Sequence, residues 1–480
     1  MTPSPRDVLI AAEADPLLTP APSPGGVERV TNRDLVPPPA DPASGGLDLV
    51  GLLGWSTLVV VSLALTFVAV TSLWWMLHAW RSRRIYRGTG FARAAHEPER
   101  SFTLLVPARH EEAVLGQTLD TLALQTHPRV EVIAIVGHDD PGTEAVARAA
   151  AARHPERIRV VVDDSVPKSK PRALNRALPA ATGDVVGVFD AEDEVHPDLL
   201  RRIDSRFTET GATVVQGGVQ LMNFQTSWWS LRNVLEYYFW FRSRLHFHAG
   251  ARFIPLGGNT VFVTRDALVR NGGWDAECLA EDCELGVRLS SQGARVVVAY
   301  SPEFVTREET PPTFRSLFKQ RTRWNQGFLQ VLRKGEWRAL PTARQRMFAR
   351  YMLAMPFLQA FSGVLIPVSV LLILFVKVPP AVVLLTYLPL APTLVTLAVE
   401  IAGLDEFGRV YGEKVRIRDH VRLILGTIPF QVFLAGAAVR SVWRELRGER
   451  GWEKTAHTNA HRAPAETPAV PEPELAGAGR

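Results

Sequence analysis

The chain has 480 residues, of which 54 are Lys or Arg and 49 are Asp or Glu, so its formal net charge is +5 at pH 7. This length allows two or three domains. The small positive excess lies beside apolar segments, which indicates contact with a membrane surface rather than with nucleic acid. The two cysteines, Cys278 and Cys283, are too few for a disulfide framework and lack the neighbours of a zinc site.

The first 81 residues predict a tail followed by a membrane anchor. Residues 1–47 are rich in Pro, Gly and Ala and lack hydrophobic periodicity, which predicts a disordered segment. Residues 48–81 are predicted to form a transmembrane helix, because positions 50–80 hold no charged side chain and Trp residues lie near both ends. The basic stretch at 81–87 follows, and the positive-inside rule places it in the cytoplasm.

Residues 100–340 are soluble in character and alternate predicted strands with predicted helices. This alternation predicts an α/β fold with a parallel, doubly wound sheet. The expected strands are at 102–106, 130–136, 158–162 and 185–189, and the expected helices between them are at 112–125, 143–153 and 171–181. In such sheets the ligand binds beyond the carboxyl ends of the strands.

Residues 347–445 predict a C-terminal membrane region, and 446–480 predict a flexible tail. The uncharged runs 351–376 and 378–399 are typical of a transmembrane hairpin. A further apolar run, 423–439, would span roughly 25 Å as a helix, which is less than the hydrocarbon core of about 30 Å. Because basic residues flank it on both sides, we expect it to re-enter or to lie obliquely with both ends in the cytoplasm. The alternative is an ordinary short spanning helix with an external C-terminus.

The stretch GDVVGVFDAEDEVHPDLL, residues 183–200, sets four carboxylates directly after a buried-looking strand. Asp190, Glu192 and Asp193 lie so close in sequence that their charges repel unless a cation compensates them. Carboxylate oxygens are natural ligands of Mg²⁺ or Mn²⁺, which commonly bridge protein and phosphate. The stretch therefore predicts either a metal site or a solvated acidic turn.

Two polar stretches follow other predicted strands. Asp139 and Asp140, after the second strand, either accept hydrogen bonds from a base or ribose or form an Asx turn. Lys168 and Lys170 suit a diphosphate as compact point charges, although a solvated loop would have the same composition.

Two further stretches begin or form helices. Glu281 and Asp282 precede an amphipathic helix, where a carboxylate acts as an N-terminal cap or as a general base. Arg321 and Arg323 are suited to neutralise a diphosphate leaving group, and Trp324 offers a flat face for a sugar. A basic amphipathic helix on the membrane surface is the alternative for this last stretch.

In this order the motifs resemble those of the membrane-bound family 2 glycosyltransferases, a family that includes bacterial cellulose synthase catalytic subunits and related processive synthases. That family shows an Asp after strand two, then K-x-x-A-L-N, a D-x-D-type element, T-E-D and Q-x-x-R-W. The corresponding positions here are Asp139 or Asp140, Lys170–Asn175, Asp190–Asp193, Glu281–Asp282 and Gln320–Trp324. The segments PLGGNTVFV (255–263) and GGWD (272–275) also match.

The resemblance implies a GT-A-like cytosolic domain inserted between transmembrane helices, a UDP-sugar donor and Mg²⁺ or Mn²⁺. It assigns the metal to Asp190 with Glu192 or Asp193, and the uridine to Asp139 or Asp140. The diphosphate would contact Lys170, Arg321 and Arg323. Asp282, beside Glu281, would be the general base, and Gln320 and Trp324 would line the acceptor end.

The function implied is inverting transfer of a sugar from UDP to a growing polysaccharide, which forms β-linkages. The enzyme would be a multi-pass protein of the cell membrane with a cytoplasmic catalytic domain, and it would have an export partner if its product leaves the cell. The alternative is transfer of one sugar to a polyprenyl phosphate or another lipid acceptor. A transporter or membrane scaffold is disfavoured, because the spans are nearly free of charge and the carboxylates lie in the soluble part.

Three positions depart from the family pattern. Glu192 stands where many members have Asp, so Glu192 and Asp193 compete for the second metal position. Ala280 replaces the Thr of T-E-D. The pair Asp139 and Asp140 leaves open which carboxylate would hold the nucleotide.

Overall fold

The computed structural model describes residues 49–82, 97–375 and 377–451. The predicted tail at 1–47, nearly all of the predicted tail at 446–480 and most of the basic stretch at 81–87 lie outside the described residues. Over the described ranges, the predicted alternation of strands and helices in residues 100–340 is present.

The strands are β1 (Phe102–Ala108), β2 (Val130–Gly137), β3 (Ile158–Asp163), β4 (Val185–Val188), β5 (Val214–Gly217), β6 (Val219–Leu221), β7 (Val261–Thr264), β8 (Val296–Ala299) and β9 (Thr306–Glu308). The α-helices are α1 (Leu49–Met76), α2 (His78–Arg81), α3 (Leu115–Ala123), α4 (Pro141–Arg153), α5 (Lys170–Ala177), α6 (Leu199–Thr210), α7 (Trp228–Phe239), α8 (Leu245–Gly250), α9 (Arg265–Arg270), α10 (Glu281–Ser291), α11 (Phe314–Lys334), α12 (Ala343–Leu353), α13 (Met355–Phe375), α14 (Pro380–Thr386), α15 (Leu390–Tyr411) and α16 (Ile417–Leu446).

Seven strands form one sheet in the order β3-β2-β1-β4-β7-β5-β8. The α/β prediction is confirmed, and neighbouring strands are parallel except around β7, which pairs antiparallel with both β4 and β5. The four strands expected from the sequence, β1 to β4, pair in parallel as predicted, and the antiparallel β7 lies outside that prediction. Hydrophobic periodicity identifies a strand but does not encode its direction, and mixed sheets are common among large sheets.

The sheet is buried on both faces, which explains the nearly continuous apolar runs of its strands. Because successive side chains of a strand point to opposite faces, Leu104 and Leu105 pack into two different clusters. One cluster includes Leu119 of α3, and the other includes Leu174 of α5 and Leu285 of α10. The helices that carry polar motifs are thus fixed to the sheet by their apolar faces.

A second, two-stranded sheet joins β6 and β9 in parallel. Just outside it, Glu194 and Arg307 exchange two backbone hydrogen bonds, with N–O distances of 3.1 and 3.0 Å. This pairing brings the segment around Glu308 against the acidic turn that follows β4.

A long helical segment, Trp228–Gly250, lies between β6 and β7 in the sequence. It consists of α7, a π-helical turn over Trp240–Arg244 and α8. Two buried arginines of this segment form ion pairs with α15: Arg232 with Glu400, and Arg242 with Glu406. These pairs attach an apolar C-terminal helix to the α/β domain.

Four helical stretches in the described part of the chain are long and apolar enough to cross a membrane: Gly51–Met76, Met355–Phe375, Pro380–Tyr411 and Ile417–Leu446. The α/β domain lies between the first and second of these in the sequence, as predicted.

The last apolar run, 423–439, is part of the longer helix α16, which extends beyond the run at both ends. α16 has 30 residues and is about 45 Å long, so the argument that this segment is too short to span is wrong. α16 runs beside α11. The ring of Phe433 lies 4.5 Å from that of Phe314 at the start of α11, and Arg444 Nε donates a hydrogen bond to Gln326 Oε1 at 3.1 Å further along both helices. Whether α16 crosses the bilayer or lies obliquely stays a prediction.

The Arg232–Glu400 pair yields a test of how the membrane helices are anchored. We expect Glu400→Gln to lower the free energy of unfolding by about 3 kcal/mol, because it leaves a buried guanidinium without a countercharge. Glu277→Gln, at an exposed ion pair with Arg172, is the control and should change it by less than about 1 kcal/mol. Thermal unfolding in detergent compares the variants, and equal shifts for both would contradict the anchoring role.

The close approach of α11 to the start of α10 yields a second test. A β-carbon added to Gly327 would lie 2.6 Å from the backbone nitrogen of Ala280, which no side-chain rotation relieves. We expect Gly327→Ala to cost about 1–3 kcal/mol of stability and to reduce activity by displacing α11 from Glu281. Gly250→Ala is the matched control, since its added carbon meets no atom within 4 Å. Unchanged thermal stability of the Gly327 variant would contradict this packing.

Candidate active site

The carboxyl ends of the central strands open into one cavity of about 570 Å³. Ala108 of β1, Gly137 of β2 and Asp163 of β3 line it, together with Asp190 just after β4. This is the position in which open α/β sheets bind ligands. The cavity brings together nine of the twelve residues predicted for the site: Lys170, Asp190, Glu192, Glu281, Asp282, Gln320, Arg321, Arg323 and Trp324.

The acidic turn after β4 divides its carboxylates between the cavity and the protein interior. Asp190 and Glu192 line the cavity, whereas Asp193 is fully buried behind them. Asp193 Oδ2 accepts a hydrogen bond from the Asp190 backbone N–H at 2.8 Å, and its Oδ1 accepts one from Asn259 Nδ2 at 3.2 Å. Asp193 therefore shapes the turn, and Glu192 is the better placed of the two competing carboxylates to meet a ligand.

Several carboxylates are crowded together at this turn. Burial and the charges of Asp190 and Glu192 raise the pKa of Asp193 to about 8. Burial and the same acidic neighbours also raise the pKa of Glu308 on β9, whose carboxylate accepts a hydrogen bond from Asn259. Two cavity-facing carboxylates with an excess of negative charge fit a divalent cation that takes its other ligands from phosphate oxygens and water.

A different group has ligand atoms within 4.8 Å of one another: His110, Glu112 and Asp140. His110 Nδ1 lies 3.6 Å from Asp140, whose Oδ2 also accepts the His110 backbone N–H at 2.5 Å. These contacts fix the loop after β1, and the side chains of His110 and Glu112 are exposed. We therefore assign this group to loop structure.

Lys170 stands between the acidic turn and the start of α10. Its Nζ forms an ion pair with Asp190 Oδ1 and donates to Gly258 O at 2.9 Å. Burial lowers the pKa of Lys170, but the charges of Asp190, Glu281 and Asp282 outweigh this and raise it above its ordinary value. The lysine is therefore a fixed positive charge in the cavity.

Glu281 and Asp282 are the first two residues of α10 and reach the cavity from the opposite side. Asp282 Oδ1 accepts the Cys283 backbone N–H at 2.7 Å, which orients the carboxylate. Burial raises the pKa of Asp282, and burial together with the Asp282 charge raises that of Glu281 to about 8. A buried carboxylate with a raised pKa is suited to accept a proton near neutral pH.

The four predicted residues of α11 all line the cavity but have different partners. Arg321 donates two hydrogen bonds of 2.8 Å to the carboxylate of Glu236 on α7, so its charge is already paired within the protein. Arg323 is the cation on which the charges of Glu281, Asp190 and Asp282 act, although burial lowers its pKa. Arg323 is therefore better placed than Arg321 to meet a diphosphate.

Gln320 and Trp324 offer surfaces that suit an acceptor. The Gln320 Oε1 atom is buried and has no hydrogen-bond partner among the described residues. The Trp324 ring lies 6.3 Å from the ring of Tyr237, with the Arg321 guanidinium 4.8 Å from its centre on the same helix.

The two aspartates after β2 do not line the cavity. Asp140 is buried and caps α4, where its Oδ1 accepts the Thr143 N–H at 3.3 Å. Asp139 is exposed and pairs with Arg109, which does line the cavity, at 2.9 Å. Of the two, Asp139 is the one left to contact a nucleotide, and that role stays a prediction.

Asp163, Glu236 and Glu308 also line the cavity but were not predicted from the sequence. Asp163 is the last residue of β3, so the rule that ligands bind at the carboxyl ends of strands would have found it. Its Oδ2 lies 3.4 Å from Lys168 Nζ. Glu236 and Glu308 had no local signal, because a helix and a short strand far along the chain bring them to the site.

A family model described as "Glycosyltransferase like family 2" matches residues 98–327. The chain is 31% identical over 243 residues to a beta-monoglucosyldiacylglycerol synthase of Synechocystis sp., a match that covers 49% of this chain and 50% of that protein. It is 24% identical over 264 residues to a poly-beta-1,6-N-acetyl-D-glucosamine synthase of Staphylococcus epidermidis, which covers 54% of this chain and 62% of that protein.

Among solved structures, the mannosyltransferase PcManGT from Pyrobaculum calidifontis, in complex with GDP-Man and Mn²⁺, is similar with a TM-score of 0.48 and 21% identity. The match covers 81% of this chain and 99% of that one. The chain spans about half the length of the beta-monoglucosyldiacylglycerol synthases that it matches. The family match coincides with the GT-A-like sheet and with the cavity at its edge. Residues 98–327 are therefore a glycosyltransferase domain of the family 2 type.

Proposed function

We propose that this enzyme transfers a sugar from a nucleoside diphosphate, UDP by resemblance to the family, to a hydroxyl group of a membrane lipid, with inversion at the anomeric carbon. The observation that carries this proposal is the continuity of the cavity. Its walls run from Asp190 and Asp282 to Met355, Pro356 and Gln359 in the first turns of α13, which is a candidate membrane span.

On the donor side, Asp190 and Glu192 would hold Mg²⁺ or Mn²⁺. Such an ion, when bound, neutralises negative charge on the diphosphate. Lys170 and Arg323 supply fixed positive charge on the other sides of the same space. Because these groups are in place before the reaction, they stabilise the departing nucleotide without reorganisation.

On the acceptor side, Asp282 would remove the proton of the acceptor hydroxyl as its oxygen attacks the anomeric carbon. The new carbon–oxygen bond forms on the face opposite the diphosphate, and the old one breaks with its electron pair leaving on the nucleotide. A single displacement of this kind converts an α-linked donor into a β-linked product.

The acceptor end of the cavity favours a lipid. Phe328, Met352, Met355 and Leu434 contribute apolar surface there, and Leu434 belongs to the candidate span α16. Flexible Met side chains adapt to acyl chains of irregular shape. The similarity to a glucosyldiacylglycerol synthase points to the same acceptor class.

The second candidate function is repeated transfer to a growing β-linked glycan. The unpartnered amide oxygen of Gln320 and the flat face of Trp324 support it, since both groups suit a sugar ring. The similarity to a poly-beta-1,6-N-acetyl-D-glucosamine synthase also supports repeated transfer to a glycan.

We place the enzyme in the cell membrane with its α/β domain in the cytoplasm. The four candidate spans support a membrane protein. The basic residues after the first apolar helix and on both flanks of the last apolar run support the cytoplasmic side.

The general-base assignment has a direct test. We expect Asp282→Asn to lower kcat by about 10²–10⁴-fold, because an amide cannot accept the hydroxyl proton, while donor affinity stays within about threefold. Nucleotide release by purified enzyme and donor binding by calorimetry measure the two effects. Asp266→Asn, at an exposed position on α9, is the control. Near-normal turnover of the Asp282 variant with donor bound would remove Asp282 from this role.

The size of the product separates the two acceptor classes. Incubation of the full chain with a panel of labelled UDP-sugars, Mn²⁺ and lipid vesicles should give a lipid that carries one sugar, which extracts into organic solvent. Mass spectrometry of the extract identifies the acceptor. A ladder of water-soluble oligosaccharides would instead establish chain synthesis and contradict the lipid proposal.

A further inference from the structure

Arg244 is a further cationic side chain of the cavity, besides Lys170, Arg321 and Arg323. Trp240 and Met352 also line the cavity and contact Arg244. Arg244 is the last residue of the π-helical turn between α7 and α8. Turns of this type are rare and occur frequently at functional sites.

Arg244 has no carboxylate partner among the described residues. Its guanidinium lies 4.4 Å from the ring centre of Trp75 and 5.1 Å from that of Trp240. One terminal nitrogen contacts Met352 Sδ at 3.2 Å, while the Nε atom is buried and lacks a hydrogen-bond partner in the described structure. Its surroundings are therefore aromatic and apolar rather than anionic.

Other arginines of the segment Trp228–Gly250 and of α11 have carboxylate partners. Arg232, Arg242 and Arg321 each form an ion pair with a glutamate, namely Glu400, Glu406 and Glu236. A desolvated charge without a partner costs stability, so its presence calls for a compensating gain. Burial lowers the pKa of Arg244 to about 10, which still leaves the side chain charged at neutral pH.

Arg323 and Arg244 face different groups. The charges of Glu281, Asp190 and Asp282 act on Arg323. The side chains in contact with Arg244 are instead those of Trp75, Trp240 and Met352. Arg244 lies beside Met352, three residues before the candidate span that begins at Met355, where a lipid headgroup would meet the protein.

We propose that Arg244 forms an anion subsite that binds the phosphate of an anionic phospholipid acceptor, while a hydroxyl of the same headgroup reaches Asp282. The inference rests on the proposed function and names the acceptor class within it. The aromatic rings of Trp75 and Trp240 hold the guanidinium in place, and the buried Nε donor would gain its missing partner. Arg244 thus selects the lipid without taking part in the chemistry.

Binding of short-chain lipids to the full chain in neutral detergent tests the subsite. The probes are dioctanoyl phosphatidylglycerol, dioctanoylglycerol and inorganic phosphate, and Trp fluorescence is the readout because two Trp rings flank Arg244. We expect the phospholipid to bind about tenfold or more tightly than the neutral lipid, and Arg244→Gln to abolish this preference. Arg350→Gln is the control, since it removes an equal charge from an exposed position on α12.

A nucleoside diphosphate with Mn²⁺ should bind all variants with equal affinity, which verifies their folding. A preference that persists in Arg244→Gln, or that Arg350→Gln removes equally, would overturn the subsite. Tight, Arg244-dependent binding of inorganic phosphate without stronger binding of the phospholipid would identify a free-phosphate site and overturn the lipid assignment.

Transfer of labelled sugar from the donor to the two lipids then tests the acceptor role. We expect Arg244→Gln to raise the KM for the phospholipid about tenfold and to leave kcat within about twofold. Arg244-dependent binding without transfer to any lipid would contradict the acceptor role and the proposed function, while the anion subsite would stand.

Discussion

The ion pair between Lys170 and Asp190 is the contact on which the arrangement of the site depends. The acidic turn after β4 and the start of α10 bring Asp190, Glu192, Glu281 and Asp282 to the same cavity. Burial and neighbouring charges raise the pKa of Glu281, and of the inward-facing Asp193, to about 8. Lys170 lies between the two groups and reduces their repulsion, but one lysine cannot neutralise all of them. The remaining negative charge would suit the proposed divalent cation, and the cationic side of α11 faces the same cavity.

The segment Trp228–Gly250 connects this site to the membrane helices. On one side its Glu236 holds Arg321, which would otherwise compete for the diphosphate. On the other side Arg232 and Arg242 hold α15. At its end the π-helical turn presents Arg244 to the cavity. One aromatic, basic stretch, which resembles an ordinary packing helix in sequence, therefore links chemistry, anchoring and acceptor selection.

The alternation of strands and helices was sufficient to predict the α/β class, and the order of the motifs predicted nine residues of the cavity lining. Residues such as Asp190 and Asp282 follow strands or begin helices, so their position at the edge of the sheet follows from local periodicity. The direction of β7, the pairing of Arg321 with Glu236 and the approach of Glu308 to Asn259 depend on contacts between distant segments. Similarly, Asp193 belongs to an acidic cluster in sequence, but only the turn geometry shows that it faces inward.

The parallel packing of α16 against α11 has a mechanical consequence. The same helix α11 presents Gln320, Arg323 and Trp324 to the cavity and contacts α16 from Phe314 to Gln326. A displacement of α16 by lateral pressure or by a change in bilayer thickness is thus transmitted to the side chains that face the substrate. If α16 lies in the bilayer as proposed, the acyl-chain composition of the surrounding membrane becomes a variable of turnover, and the bilayer acts on the enzyme as well as supplying its proposed acceptor.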